Sequence, residues 1–195
     1  MKKGTCHLLA INGSPRRRGN TETLLAAIGN GTSVAGADWE VIRVSDLDIH
    51  PCTGCGGCEK TGECVLEDDM TALYPKILAA DRIILASPIY FYGITAQAKG
   101  FVDRCQALWS RRRLLERAGT WQDNPERKGY LVAVAATRGA KLFEGARLTA
   151  QYAFEAMGAA YGEELLVRGI DRKGEMLQDA AQLAEAEAFG RRIAV

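Results

Sequence analysis

Short apolar segments alternate with helical patterns five times along the 195-residue chain. Two of these segments, RIILASPIY at Arg82–Tyr90 and GYLVAVAAT at Gly129–Thr137, are apolar enough for strands that are buried on both faces of a sheet. A strand–helix order repeated five times requires crossover connections between the strands. The pattern therefore predicts an α/β protein with a mostly parallel five-stranded sheet covered by helices on both faces.

The proportions are those of a flavodoxin-like three-layer sandwich. We expect one domain over residues 1–195, because this length supports a single core, with a cysteine-rich loop at 52–64 and an irregular basic extension at 110–128. The predicted strands are Cys6–Asn12, Trp39–Asp46, Arg82–Tyr90, Gly129–Thr137 and Glu163–Ile170. The predicted helices are Thr21–Gly31, Asp68–Ala80, Thr95–Trp109, Glu144–Tyr161 (ended by Gly162) and Asp179–Ala194.

Composition excludes several functional classes. The formal net charge of +1 gives no bulk attraction to nucleic acid. The most apolar region is interrupted by Asp81, Arg82 and Pro88, so we expect no membrane span and a cytoplasmic location. Structural disulfides are uncommon in that compartment, and the six cysteines are better explained by a metal or by catalysis.

The segment NGSPRRRGNTETLL, Asn12–Leu25, follows the first strand and opens the first helix. It lacks the Gly-Lys-Ser/Thr of a triphosphate site and the G-x-G-x-x-G of a dinucleotide site. Free N–H groups at the start of a helix, with nearby hydroxyl groups, favour a cradle for a phosphate monoester. The alternative is an ordinary turn in which Ser14 or Thr21 caps the helix.

The segment CTGCGGCEKTGEC has the spacing C-x₂-C-x₂-C-x₅-C. A zinc site joins two knuckles that are a dozen or more residues apart, whereas this compact run resembles the one that wraps an iron–sulfur cubane. The glycines permit left-handed turns around the sulfur atoms. Free thiols, a disulfide or a zinc ion remain alternatives to a cluster. The candidate ligands are Cys52, Cys55, Cys58 and Cys64.

Several motifs occur in a characteristic order between Cys6 and about Gly139: GSPRRRGNTETLL, the four cysteines, DDM, SPIYFYGITAQAKGFVDR and ATRG. In this respect the chain resembles the NADPH-dependent FMN reductase family, and within it the iron–sulfur flavoproteins. The resemblance implies that the FMN phosphate is held by Ser14, Arg16, Asn20 and Thr21. It implies that the flavin ring is lined by Pro88, Ile89, Tyr90, Phe91, Tyr92 and Gly93.

The fourth strand ends in ATRG, and from that position Thr137, Arg138 and Gly139 are candidates to contact the pyrimidine side of the ring. The resemblance implies that the four cysteines ligate a [4Fe–4S] cluster. We also expect at least one aromatic side chain of the YFY run, Phe91 above all, to face inward or to contact a partner subunit.

The function expected on this basis is NAD(P)H-dependent electron transfer through FMN to a small-molecule acceptor. The alternatives are an electron carrier linked to a ferredoxin-like protein, without NAD(P)H turnover, and a flavin- or metal-sensing module. The resemblance also implies a homodimer or homotetramer. The segment AQAKGFVDRCQALW is the expected interface helix, with Phe101 and Trp109 as exposed side chains.

Overall fold

The computed structural model describes residues 5–195 and contains a five-stranded parallel sheet in the order β2-β1-β3-β4-β5. The order switches direction between β1 and β3, as in the flavodoxin-like fold, so the predicted fold class is confirmed. The strands are β1 (His7–Asn12), β2 (Asp38–Arg43), β3 (Arg82–Pro88), β4 (Lys128–Ala135) and β5 (Ala160–Arg168).

Helices cover both faces of the sheet. They are α1 (Asn20–Val34), α2 (Cys58–Thr61), α3 (Met70–Ala79), α4 (Ala96–Arg104), α5 (Gln106–Arg117), α6 (Glu144–Ala156) and α7 (Ala180–Ile193), with 3₁₀ turns at Val44–Asp46 and Glu175–Gln178. α1 and α7 bury their apolar side chains on one face. α3, α4, α5 and α6 bury theirs on the other face.

The core follows from the alternation of side chains along each strand. In β1, Leu8 and Ala10 join the cluster beneath α1 and α7, whereas Leu9 and Ile11 join the opposite cluster. On the first face α1 and α7 approach so closely that a Cβ on Gly190 would lie 2.1 Å from the carbonyl oxygen of Ile28. The helix pair is therefore in direct backbone contact.

The region after β3 differs from the prediction. The expected single helix Thr95–Trp109 is two helices that meet at Cys105, and α5 continues to Arg117. The first part of the extension expected to be irregular is therefore helical. The basic side chains there are compatible with a helix because the guanidinium of Arg112 pairs with the carboxylate of Glu116, four residues later, at 2.8 Å.

Two other boundaries differ. β2 ends at Arg43, and the Val44–Asp46 turn replaces the predicted end of the strand. α6 ends at Ala156, and Gly158 adopts a φ of +73° in the turn that follows. Gly162 lies inside β5 instead of ending the helix, and a Cβ there would come within 2.7 Å of the Tyr130 ring. Within the part of the chain that the structure describes, the helices are too short or too polar to cross a bilayer.

Candidate functional site

The loop between β1 and α1 is shaped by its own polar side chains. The amide of Ser14 donates to Oδ1 of Asn12 at 3.0 Å, and the amide of Arg16 donates to Oγ of Ser14 at 3.3 Å. Ser14 and Thr21 are both almost completely buried. The loop therefore presents two hydroxyl side chains toward the interior, at the carboxyl end of β1.

The N-terminus of α1 opens onto this loop. Gly19 precedes the first helical residue, and no side chain in residues 5–195 caps the helix there. The capped turn considered as the alternative is therefore absent. The first N–H groups of a helix have no partner within the helix, and together with the helix dipole they favour an anion. An anion of phosphate size suits this position.

Arg43, which the sequence analysis did not single out, supports the loop from the end of β2. Its Nη2 donates to the carbonyl oxygen of Pro15 at 3.0 Å, and its Nη1 donates to that of Arg16 at 3.3 Å. The same side chain pairs with Glu22 and Asp46. The sequence did not indicate this role for Arg43, the last residue of a half-exposed strand. The contact with the loop exists only because β2 lies beside β1 in the sheet.

Arg16 and Asn20 connect the loop between β1 and α1 to the segment after β5. Nη1 of Arg16 donates to the carbonyl oxygen of Asp171 at 3.2 Å, and Nδ2 of Asn20 donates to that of Arg172 at 2.9 Å. Oδ1 of Asn20 also accepts from the amide of Met176. Both side chains thus hold the 171–176 segment over the site. Their assignment as phosphate ligands stays a prediction.

A small cavity of about 60 Å³ lies among the carboxyl ends of β1, β3, β4 and β5. The lining includes Ser14, Arg16, Asn20, Thr21, Pro88, Ile89, Tyr90, Val134, Ala136, Ile170 and Asp171. Seven of these lining residues were predicted to bind FMN. The volume suits a small anion rather than a three-ring flavin, so a ring attached to that anion would lie against the outer loops.

The outer loop after β3 has an unusual backbone. Tyr90 and Gly93 exchange backbone hydrogen bonds of 2.9 and 3.0 Å, and Phe91 and Tyr92 between them have φ values of +48° and +64°. Positive φ is uncommon for residues with a Cβ, and strain of this kind is concentrated at functional sites. Phe91 is fully exposed, so the expectation that it faces inward is wrong. Its contact with a partner subunit stays a prediction.

The segment Thr137–Gly139 is largely exposed at the end of β4 and does not border the small cavity. The guanidinium of Arg138 lies over Gly169, where a Cβ would come within 2.7 Å of its Nη2. The proposed contact of these residues with the pyrimidine side of a flavin stays a prediction. Tyr92 approaches the same segment, since its hydroxyl would lie 3.4 Å from a Cβ on Gly139.

The four candidate cysteines border a second, larger cavity of about 410 Å³. Gly54, Gly56 and Gly62 adopt φ values between +67° and +75°, which confirms the left-handed turns expected of this loop. Cys52 and Cys55 are exposed. The opposite wall is formed by α4 and α5, which contribute Asp103, Arg104, Gln106 and Ala107.

The sulfur atoms share a cavity without converging on one point. Among residues 5–195, no three Cys, His, Asp or Glu side chains are placed to hold a single metal ion. A zinc ion requires its ligands at about 2.3 Å from one centre, whereas a cubane binds each cysteine at a different iron. The four cysteines therefore border one cavity without forming a ready site for a single metal ion.

Two buried donors lie on α4 and α5 near the cysteine loop. Oγ of the buried Ser110 lies 3.4 Å from Sγ of Cys58 and donates to it. The guanidinium of Arg104 pairs with Asp68, with Nη2 of Arg104 at 3.1 Å from Oδ1 of Asp68. Burial disfavours the Asp68 carboxylate, but the hydrogen bonds from Arg104 and from two backbone amides outweigh that effect and lower the pKa of Asp68.

Burial likewise opposes the charge on Arg104, and its neighbours reverse the effect. Asp68, Tyr74 and Cys64 together raise the pKa of the guanidinium above its ordinary value. Neither Arg104 nor Asp68 was among the predicted site residues, although both occur in motifs that carried the resemblance, DDM and GFVDR.

The parallel sheet, its strand order and the polar cavity at the carboxyl ends of the strands define a flavodoxin-like protein. The model of the NADPH-dependent FMN reductase family matches residues 6–160, and the chain belongs to that family.

Individual relatives agree with this assignment. An iron–sulfur flavoprotein of Methanocaldococcus jannaschii is 40% identical over 101 residues, which cover 52% of each chain. The chain thus spans about half the length of this curated relative. A putative NAD(P)H-dependent FMN-containing oxidoreductase of Bacillus subtilis is 28% identical over 95% of this chain and 97% of its own.

Among solved structures, the NAD(P)H:quinone oxidoreductase from Methanothermobacter marburgensis superposes with a TM-score of 0.72 over 98% of each chain. At 17% identity, this likeness supports the fold alone.

Proposed function

We propose that this protein is an FMN-dependent oxidoreductase that takes electrons from NAD(P)H and delivers them to a small-molecule acceptor. The observation that carries the proposal is the uncapped N-terminus of α1, which opens onto a cavity bordered by the buried Ser14 and Thr21. Membership in the NADPH-dependent FMN reductase family supports the choice of FMN as the phosphate-bearing ligand.

The chain contributes binding and orientation. In this proposal the N–H groups of α1 and the hydroxyls of Ser14 and Thr21 hold the phosphate, while Arg43 keeps the loop in shape by binding its carbonyl oxygens. Pro88–Gly93 provides a wall for the ring, and Thr137–Gly139 lies on its other side. When bound, FMN supplies the redox chemistry, accepting a hydride from the nicotinamide and releasing two electrons to the acceptor.

We further propose that Cys52, Cys55, Cys58 and Cys64 hold a [4Fe–4S] cluster. Their common cavity supports this, as do the names of the relatives that are iron–sulfur flavoproteins. Such a cluster exchanges single electrons, which would connect the flavin to a ferredoxin-like carrier. The reduced thiols that assembly requires agree with the cytoplasmic location predicted from the sequence.

We also propose that the protein is a homodimer or homotetramer. The exposed aromatic side chains beside the cavity, Tyr90, Phe91 and Tyr92, support a contact at this face. The argument from the α4 segment is weaker than the sequence analysis supposed, since Phe101 is completely buried and that expectation is wrong.

The deciding experiment is an anaerobic purification, followed by an absorbance spectrum, iron and sulfide analysis, and mixing with NADPH or NADH. Bound FMN that is bleached at a catalytic rate supports the oxidoreductase. FMN that is bleached by reduced ferredoxin but not by either nicotinamide would instead support the electron-carrier alternative, which the cysteine cavity favours. About four irons and four sulfides per chain would support the cluster.

A matched pair of variants tests the FMN site directly. Thr21→Val removes a buried hydroxyl at the mouth of α1 and should weaken FMN binding about tenfold, the worth of one hydrogen bond to a charged group. Thr149→Val makes the same change in α6, where the hydroxyl donates to the Gly145 carbonyl oxygen, and should leave FMN affinity unchanged. Fluorescence titration of FMN measures both. Equal affinities in the two variants would contradict the assignment.

A further inference from the structure

Arg104 is the last residue of α4, and its side chain is completely buried at the wall of the cysteine cavity. Four acceptor contacts hold its terminal nitrogens. Nη1 donates to the carbonyl oxygen of His50 at 2.8 Å and to Oδ2 of Asp68 at 2.5 Å. Nη2 donates to Oδ1 of Asp68 at 3.1 Å and to the carbonyl oxygen of Leu66 at 3.3 Å. The orientation of the guanidinium is therefore fixed.

The remaining donor, Nε, is buried and has no hydrogen-bond acceptor within the described chain. A buried N–H without a partner costs about 1–3 kcal/mol, so such groups are rare in native proteins and require an explanation. Nε and Nη2 share one edge of the guanidinium plane. On that edge Nη2 donates to the carbonyl oxygen of Leu66, and both Leu66 and Arg104 are among the residues that border the cysteine cavity.

The charge of Asp68 already compensates that of Arg104, so the pair presents a directed N–H dipole rather than a free cation. A second donor lies on the next helix, where the hydroxyl of Ser110 donates to Sγ of Cys58, one of the four candidate ligands. Two helices thus place buried donors beside the segment that carries the four cysteines. Hydrogen bonds to sulfur atoms are one of the levers by which proteins set the reduction potential of a cluster.

We propose that Nε of Arg104 and Oγ of Ser110 donate hydrogen bonds to sulfur atoms of the group held by the four cysteines, and that these bonds raise its reduction potential. The inference rests on the proposed [4Fe–4S] cluster. When one electron enters such a group, its net charge becomes more negative by one, and N–H and O–H dipoles that point at the sulfurs stabilise that reduced state more than the oxidised state.

Two independent variants test the proposal. Arg104→Lys keeps a positive charge beside Asp68 and removes Nε–H, and Ser110→Ala removes the hydroxyl. Each should shift the midpoint potential of the cluster to more negative values. At a fixed solution potential, the ratio of reduced to oxidised cluster should fall by about tenfold for each hydrogen bond that is lost. Anaerobic reductive titration with dithionite, followed by absorbance and electron paramagnetic resonance, measures the shift.

Arg82→Lys is the matched control. Arg82 is also buried, and its guanidinium donates to backbone carbonyl oxygens at the amino end of β3, away from the four candidate ligands. The midpoint potential of the cluster in Arg82→Lys should equal that in the wild type. If Arg104→Lys does not fold, Ser110→Ala is measured on its own. That substitution removes only one oxygen atom and is therefore expected to preserve the fold.

Iron and sulfide are measured first in the wild type, so that the presence of the cluster and the role of the two hydrogen-bond donors are tested separately. A wild type without iron and sulfide overturns the cluster and this inference with it. A wild type with a full cluster, together with variants of unchanged potential, overturns the role of Arg104 and Ser110 and leaves the proposed function intact.

Discussion

Gly13 lies where the phosphate loop crosses the start of α4. A Cβ at this position would come within 2.5 Å of Cβ of Ala98 and 3.2 Å of the carbonyl oxygen of Ala86. The carbonyl oxygen of Gly13 accepts from Oγ1 of Thr95 at 2.6 Å, and the same hydroxyl caps α4 by accepting from the amide of Ala98. One residue without a side chain thus allows the loop, β3 and α4 to meet.

Gly13→Ala should therefore lower the free energy of unfolding by about 1–3 kcal/mol, the usual cost of forcing a methyl group into a filled space. FMN binding should weaken as well, because the displaced segment includes Ser14. Thermal unfolding and FMN fluorescence titration give the two quantities.

Gly100→Ala is the control, since among the described residues nothing lies within 4 Å of a Cβ there. In the middle of α4 this change should leave FMN affinity unaltered and stabilise the helix by up to about 1 kcal/mol. A Gly13→Ala protein with wild-type stability and affinity would show that the loop does not need this close approach.

At the scale of residues, the sequence was enough to predict the site residues whose roles follow from local chemistry. Ser14 and Thr21 were predicted from their position before a helix and are buried beside the anion cavity. Arg43 and Arg104 were missed because their roles arise from contacts 28 and 36 positions away along the chain. A guanidinium that binds backbone carbonyls leaves no local pattern, since any neighbouring loop can supply the acceptors.

At the scale of elements, the contact between α6 and β5 contains a carboxylate whose ionisation contributes to stability. Nε of Arg147 donates to both carboxylate oxygens of Glu164 at 2.9 Å, and the hydroxyl of Tyr161 donates to Oε2 at 3.1 Å. The hydrogen bond from Arg147 is the main reason that the pKa of Glu164 lies below its ordinary value of 4.5.

Because the folded pKa is the lower one, ionised Glu164 stabilises the fold above about pH 4.5. That contribution disappears as the pH falls through the folded pKa. Glu164→Gln should lower the free energy of unfolding by about 1 kcal/mol at pH 7, and the difference from the wild type should shrink below pH 4. Urea unfolding at several pH values measures this dependence.

The neighbouring residue provides the control. Glu163 is more exposed, and its carboxylate lies 3.4 Å from Arg192, so Glu163→Gln should change stability by less than about 0.5 kcal/mol at any of these pH values. If the difference in unfolding free energy between Glu164→Gln and the wild type stayed the same in acid, the shape of the Glu164 side chain, and not its charge, would account for its contribution to stability.

The strands were predictable because burial on both faces requires continuous apolar runs, as in β3 and β4. The break at Cys105 was not, because Phe101, Cys105 and Leu108 all belong to one buried cluster and the apolar spacing continues across the junction. The two helices meet at Cys105, and α5 packs against α2 of the cysteine loop. The two segments in this contact are far apart in the sequence, so the hydrophobic spacing within either segment does not predict it.

At the scale of the whole molecule, the exposed loop beside the anion cavity bears on assembly. The side chain of Phe91 is fully exposed at a backbone φ of +48°. A large apolar side chain held in that way favours contact with another molecule. Phe91→Asp should leave thermal stability of the monomer unchanged or nearly so and shift the protein toward smaller assemblies, as measured by sedimentation at several concentrations.

Leu177→Asp serves as a comparison, because Leu177 is also exposed, at 67%, but lies in the turn before α7. This variant should sediment like the wild type. Sedimentation of Phe91→Asp as the wild-type oligomer would remove Phe91 from the interface.

α4 joins the two halves of the molecule that carry the candidate cofactors. It begins after Thr95, which binds the phosphate loop, and ends at Arg104, which borders the cysteines; its nine residues rise about 14 Å. Inserting or deleting one residue would turn everything beyond it by about 100° and direct Arg104 away from Asp68. We therefore expect a one-residue insertion or deletion in α4 to disturb both candidate sites, because the length of this helix sets the spacing between them.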